Sequence, residues 1–400
     1  MPPLRIIVVM VEPPLPFGHA VARWSYVLLR GLVERGHTVT TFVACTQAGE
    51  AAKAAELFPS PAYDLRAFTM SPGKSLSDRI RSALRPHSYM FSPELRSALA
   101  SELARGFDVL HLESTWAGWL GRDHTRKALI NIHNLYEIDL SDHVPLGAVA
   151  KLRRARMLRA ERRLIRKYEN VVTLTPRLTD RVREISVSSR VSTVPLGLDL
   201  SLYPFSPTRD GAAAPTLGLV GSFHWLPTFS AGERLLTRLW PEIKRRVPAA
   251  KLCIVGRNAR SAMQPFLSGP DVSIHEDVPD ILPFFQAMDA LLYAPSRGSG
   301  MKVKILEAFA LGTPVITTRE GVEGLPAEDG KHAGICDDDS GLIARAVHLL
   351  GDPELRDRYR REGRNLLERH CSPKATLDGI ERLHRRIADP SLHGANFQTG

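Results

Sequence analysis

A chain of 400 residues exceeds one ordinary domain and points to two. Its 44% hydrophobic and 24% charged fractions exclude the disordered and fibrous classes, and no apolar stretch approaches the roughly 20 residues of a transmembrane helix. A formal charge of +10 favours anionic partners such as nucleotides, phosphorylated acceptors or anionic lipid; nucleic acid ranks last, because no DNA- or RNA-binding motif occurs and aromatics are not interleaved with the basic clusters.

Short Val/Ile/Leu runs alternate with amphipathic stretches in both halves, the βα pattern of a parallel sheet covered on both faces. The run 4–11 is too short for a signal segment followed by a cleavage site and reads as a first strand. It leads into Pro13-Pro14-Leu15-Pro16-Phe17-Gly18-His19, where Gly18 lets an acceptor approach the backbone beside His19, although a plain turn glycine fits equally well. Further strands are expected at 38–44, 109–113, 128–133 and 171–175. Glu113 and His133 end two of them. The stretch 151–168 is a basic amphipathic helix with Met157, Leu158, Leu164, Ile165 and Tyr168 on one side. It suits either an anionic lipid surface or a solvated outer helix packed on its sheet.

The Pro/Gly/Ala stretch 203–215 lacks periodicity and reads as a linker. It divides the chain into expected domains at 1–205 and 206–372, with a last helix over 373–390 that either closes the second domain or crosses back to the first. Strands of the second half are expected at 216–221, 251–256, 272–275, 290–294 and 314–318. The four scattered cysteines (Cys45, Cys253, Cys336, Cys371) form no disulfide framework and no zinc spacing, so buried free thiols and a cytoplasmic setting are expected. Asp337-Asp338-Asp339 invites a metal reading, but it precedes a helical stretch, where such residues serve as N-caps; no metal site is expected.

The fourth strand of the second half runs into Gly298-Ser299-Gly300-Met301-Lys302-Val303-Lys304-Ile305-Leu306-Glu307, a glycine loop opening a helix that stops at Gly312. Glycines let backbone N–H groups approach a phosphate, and a helix N-terminus adds a positive dipole end. Lys302 and Lys304 sit in the first turn, where that dipole disfavours cations unless an anion compensates. Lys304 and Glu307 are three apart and share a helix face. That cation and carboxylate suit the phosphate and sugar hydroxyls of a nucleotide; the same spacing also suits an ordinary surface pair.

Taken in order, several segments resemble the retaining glycosyltransferases of the GT-B fold, family four. They are Arg35-Gly36-His37-Thr38-Val39, Ile132-His133-Asn134, Val194-Pro195-Leu196-Gly197-Leu198-Asp199, Val220-Gly221-Ser222-Phe223-His224-Trp225-Leu226-Pro227, the run Leu306 to Ile316, and Gly321-Val322-Glu323-Gly324-Leu325. The resemblance spans nearly the whole chain. It implies an α/β fold of two doubly wound Rossmann-like domains facing a cleft. It also implies an NDP-sugar donor, UDP- or GDP-linked, on the second domain and a hydroxyl acceptor on the first: a glycan, a lipid-linked sugar or a natural product. No cofactor and no metal are implied, and the anomeric configuration is kept.

Carried over by position, Glu307 matches the second glutamate of the family's Glu–seven residues–Glu motif, which holds the ribose. The first glutamate, which touches the donor sugar, is replaced here by Ser299. The family's Arg and Lys after the first strand of the second domain are missing too, with Ser222 to Trp225 in their place. The diphosphate role therefore falls to Lys304, with Lys302 and Arg297 as secondary cations, and the donor-sugar role of the first glutamate falls to Ser299 or to backbone amides at Gly298 and Gly300. Gly221, Ser222, Val278, Glu323 and Gly324 complete the donor candidates. His133 matches a family histidine and is the catalytic candidate of the first half beside Lys304 and Glu307; a strand-end structural histidine is the plainer reading. Glu113 is a candidate for acceptor hydroxyls or a plain loop carboxylate. The resulting expectation is a retaining hexosyltransferase. The alternatives are a sugar-nucleotide epimerase on the same scaffold and a non-catalytic sugar-nucleotide-binding subunit. The chain is expected in the cytoplasm; peripheral contact at the inner membrane face through 151–168 is the alternative to a solvated outer helix.

Overall fold

A computed structural model describes residues 2–391 apart from 17–19, 47–48, 50–53, 55, 57–58, 72–74, 142–146, 206–213, 268 and 270. It divides into two compact units, one formed by 1–136, 143–197 and 373–400, the other by 137–142 and 198–372.

The first unit holds a seven-stranded parallel sheet, in spatial order β3-β2-β1-β4-β5-β6-β7. The strands are β1 (Arg5–Met10), β2 (Thr38–Cys45), β3 (Tyr63–Thr69), β4 (Val109–Leu112), β5 (Ala128–Ile132), β6 (Asn170–Thr173) and β7 (Arg190–Thr193). The second unit holds six strands, ordered β10-β9-β8-β11-β12-β13. These are β8 (Thr216–Val220), β9 (Lys251–Gly256), β10 (Val272–Glu276), β11 (Ala290–Tyr293), β12 (Val315–Thr317) and β13 (Gly334–Ile335). Both orders reverse direction once, between β1 and β4 and between β8 and β11. In open α/β sheets that reversal point, at the carboxyl ends of the strands, is where ligands bind.

The apolar runs became the central strands because those are buried on both faces. Ile6, Ile7, Val8, Val109, Leu110, Leu129, Ile130, Leu291 and Leu292 are all buried. The strands absent from the sequence reading, β3, β7 and β13, lie at or beside sheet edges. β3 alternates half-buried with exposed residues, β7 has a single buried residue, and β13 has two residues in all. None offers an apolar run.

The helix Pro373–Ala388 belongs to the first unit. Gly31 on the helix Ala20–Glu34 allows its close approach: a Cβ there would fall 2.2 Å from Leu377 Cδ1. Arg35 then clamps it, donating to Asp378 and Glu381 at 2.6 Å each. The basic segment is a helix over Ala148–Ile165. Leu164, Ile165 and Tyr168 are buried and Met157 and Leu158 half-buried, so this side packs within its unit, while Lys151, Arg153, Arg156 and Arg159 are exposed. Among the described residues no helix is long and apolar enough to cross a membrane.

Candidate active site

In the second unit the chemistry gathers beyond the carboxyl ends of β8, β11 and β12. β8 runs into Gly221, whose φ of +156° favours glycine; a Cβ there would lie 2.6 Å from the Lys304 ammonium and 3.0 Å from Thr228. β11 ends at Tyr293 and leads through Gly298–Gly300 into the helix Val303–Leu311. No side chain caps that helix, since its N-cap is Lys302, and Gly312 closes it in the left-handed conformation at φ +74°.

Lys304 turns its ammonium inward. It donates to Thr228 Oγ1 at 2.7 Å and lies 4.0 Å from the centroid of the Tyr293 ring. Burial, then the neighbouring charge of Lys302, push its pKa down to about 7 against the opposing pull of Glu307. The site therefore holds a cation that is destabilised until an anion arrives. Lys302 bonds the Gly300 carbonyl at 2.5 Å and lies 3.4 Å from Glu323, both side chains being buried. Glu323 thus neutralises Lys302 and leaves Lys304 as the cation facing Gly221.

Glu307 is 4% exposed, and its carboxylate accepts from the Tyr203 hydroxyl at 3.2 Å. Lys304 and Glu307 therefore share a helix as expected but differ in surroundings: the lysine lies against Gly221 and Thr228, the glutamate against Tyr203. Ser299 is buried, and both its backbone N–H (2.6 Å) and its hydroxyl (2.9 Å) are donated to Asp139 Oδ1. Ser222 and Arg297 are exposed and Val278 is half-buried after the left-handed Asp277. Gly298 packs near Lys302 and Pro227, and Gly324 has φ +83°.

The aspartate triplet is explained by structure. Asp338 caps the helix Asp339–Gly351 by accepting from the Gly341 N–H at 2.8 Å. Asp339 pairs with Arg234 and Arg238, and Asp337 with Arg319. Cys45 and Cys371 are buried, whereas Cys253 and Cys336 are only partly so; all four are free thiols.

In the first unit a second polar group forms where β4 and β5 end, next to that sheet's reversal point. β4 and β5 pair with His111 opposite Leu129, which sets Glu113 level with Asn131. The period of two then puts His111, Glu113, Asn131 and His133 on one face. Glu113 is 2% exposed. Its carboxylate accepts from His133 Nε2 at 2.6 Å and from Asn131 Nδ2 at 3.1 Å, and its other oxygen lies 3.1 Å from His111 Nε2. Burial raises its pKa, but the His133 charge and the bonds from His111 and His133 outweigh this and hold it well below the ordinary carboxylate range. Gly18 and His19 lie outside the described residues.

Sequence reasoning missed Asp139, Thr228, Tyr203, Tyr293, Asn131, His111 and His384. Lone polar residues inside apolar strands, such as His111 and Asn131, were the available signal; nothing local marks Asp139, 160 positions from its partner.

The chain matches two family models: "Glycosyltransferase Family 4" over residues 21–202 and "Glycosyl transferases group 1" over 214–352. It is 24% identical over 215 residues to a glycogen synthase of Mycobacterium tuberculosis, which covers 51% of each chain. The chain thus spans about half the length of the curated relatives it matches. Among solved structures, sucrose-phosphate synthase from Thermosynechococcus elongatus superposes with a TM-score of 0.73 at 17% identity, covering 96% of this chain and 99% of that one. Anabaena HepE in complex with UDP-glucose gives 0.69 at 12% identity, covering 94% and 98%.

Proposed function

From a chain that belongs to the family four glycosyltransferases of the GT-B fold, we propose the transfer of a hexose-type sugar from a UDP- or GDP-linked donor to an acceptor hydroxyl, with retention at the anomeric carbon. The observation that carries this reading is the buried Lys304 ammonium, set at the β8/β11 reversal point beside Gly221. As the C1–O bond breaks, its electron pair goes to the leaving diphosphate while C1 gains oxocarbenium character. Lys304 and the uncapped amides at the start of the Val303–Leu311 helix supply fixed positive potential where that charge develops.

Glu307, held by Tyr203, is the ribose ligand of this reading, and the carboxylate absent at position 299 is supplied by Asp139 through Ser299. On the leaving side, a phosphate oxygen takes the acceptor proton on the same face of the sugar, so no catalytic carboxylate pair and no metal are required. His133 hydrogen-bonds a substrate hydroxyl. Glu113 orients His133 and does not touch the hydroxyl itself, because its oxygens already serve three side chains.

The test is incubation with a panel of NDP-sugars in EDTA. Slow release of NDP and free sugar, accelerated by an acceptor, is the expected result. Isomerised donor would mark an epimerase, and binding without turnover a non-catalytic subunit; strict metal dependence would refute the metal-free mechanism.

A further inference from the structure

The Glu113–His133 pair does not end at its strands. His111 Nδ1 lies 2.9 Å from Nε2 of His384, on the helix Pro373–Ala388, with the two rings edge to face at 81°. Both histidines are 0% exposed. Burial, then the charges of His111 and His37, hold the His384 pKa well below its ordinary value, so this ring is neutral.

The hydrogen positions follow by elimination. The ionised Glu113 can only accept, so the nitrogens facing it, Nε2 of His111 and Nε2 of His133, each hold a hydrogen. The 2.9 Å contact between His111 Nδ1 and His384 Nε2 needs one donor and one acceptor, and placing the His384 hydrogen on its other nitrogen would bury an N–H with no partner, so His384 Nε2–H is the donor. The other nitrogen of His384, Nδ1, is buried with no hydrogen-bond partner, as befits the unprotonated side of that tautomer. A line of polar contacts at 2.9, 3.1 and 2.6 Å therefore runs from His384 through His111 and Glu113 to His133. The last ring is 19% exposed, and its Nδ1 has no partner among the described residues. With Nε2–H given to Glu113, Nδ1 is the nitrogen left to face a substrate hydroxyl, in the way a buried carboxylate orients a catalytic histidine.

We propose that His384 is a positioning residue: by donating to His111 it fixes the His111 tautomer, keeps Glu113 turned toward His133, and thereby presents His133 Nδ1 to a substrate hydroxyl. The histidine relay is independent of the transferase reading; its effect on turnover rests on that reading. The Arg35 clamp on Asp378 and Glu381 holds the helix that delivers it.

Two variants test this. His384→Gln keeps an N–H donor near the Nε2 position; His384→Phe fills the space without one. The readouts are the ring-nitrogen signals of the full chain labelled with 15N-histidine, and steady-state kinetics with the best donor of the panel. Expected for the wild type and His384→Gln is a His111 with bare Nδ1 and protonated Nε2. Expected for His384→Phe is loss of that single tautomer, with kcat falling about tenfold or more and donor KM changing less than about twofold, the pattern of a lost transition-state contact. An unchanged His111 spectrum and kcat in His384→Phe would overturn the proposal, as would equal losses in both variants, which mark a purely structural role. If the wild type transfers no sugar but His111 responds as described, the relay stands and the transferase reading falls.

Discussion

Lys304→Met removes one charge from a site that this fold makes costly to charge, and the consequences can be worked with their signs. An ammonium about 4 Å from a phosphate oxygen contributes about 4 kcal/mol at an effective dielectric constant of about 20. Part of this recharges the lysine, whose pKa in the ligand-free protein is pushed down to about 7. At pH 8 that costs about 1.4 kcal/mol and at pH 9 about 2.7 kcal/mol. The net loss on substitution is then about 2.6 kcal/mol at pH 8, roughly 100-fold in affinity for UDP or GDP, and about tenfold at pH 9.

Binding to the wild type should also take up about 0.9 proton per nucleotide at pH 8, since that fraction of Lys304 is neutral beforehand. Titration calorimetry in two buffers of different ionisation enthalpy measures both quantities. For stability the sign is opposite. Between pH 7 and the ordinary lysine value of 10.5 the unfolded chain binds more protons at this lysine than the folded one, so wild-type stability rises with pH across that window. Lys304→Met should therefore raise the melting temperature of the ligand-free protein most at or below pH 7, with the gain fading toward pH 10.5. A variant that binds the nucleotide with wild-type affinity and the same proton uptake would refute the placement of the diphosphate at Lys304.

Three further outcomes bear on the same pocket. Gly221→Ala puts a Cβ 2.6 Å from the Lys304 nitrogen at a φ of +156°, so nucleotide binding should fall at least as far as in Lys304→Met, with a stability loss of about 1–3 kcal/mol by urea unfolding; wild-type binding would show that the ammonium does not need its place over Gly221. Glu307→Gln keeps an acceptor for Tyr203 but removes the charge, so donor KM should rise about tenfold with little change in unfolding midpoint, whereas Tyr203→Phe should destabilise by about 1–3 kcal/mol through loss of a bond to a buried carboxylate. Ser299→Glu sets a second carboxylate against the buried Asp139 and should destabilise strongly. Combining it with Asp139→Ala should recover at least about 1 kcal/mol over the sum of the single changes; plain additivity would separate the two positions.

The sequence announced most of the framework because buried parallel strands must be apolar throughout, and a run such as Arg5–Met10 or Lys251–Gly256 stands out for that reason. The glycine loop was legible in the same way: Gly300 and Gly312 both have positive φ, where glycine is comfortable, so their spacing reports backbone conformation directly. The partners of the polar groups were not legible. Lys304 belongs to a readable motif, yet its inward turn depends on Thr228 and Tyr293, each on a different element. His111 and His384 are 273 positions apart, and each alone looks like a core histidine.

Ser299 shows why this limit is physical. By position it looks like a loss, a neutral hydroxyl where the family resemblance implies a carboxylate. In the folded chain its N–H and its hydroxyl both bind Asp139, so negative charge stands within hydrogen-bond distance of position 299 after all, delivered by a four-residue helix from the first half of the sequence. A buried carboxylate demands donors, and a loop of glycines and a serine has backbone and hydroxyl donors to give. The pairing therefore satisfies both segments at once. A motif read along the chain records which side chain occupies a position. Where charge stands in space is decided by the fold, which can bring it within about 3 Å of a position from any segment of the chain.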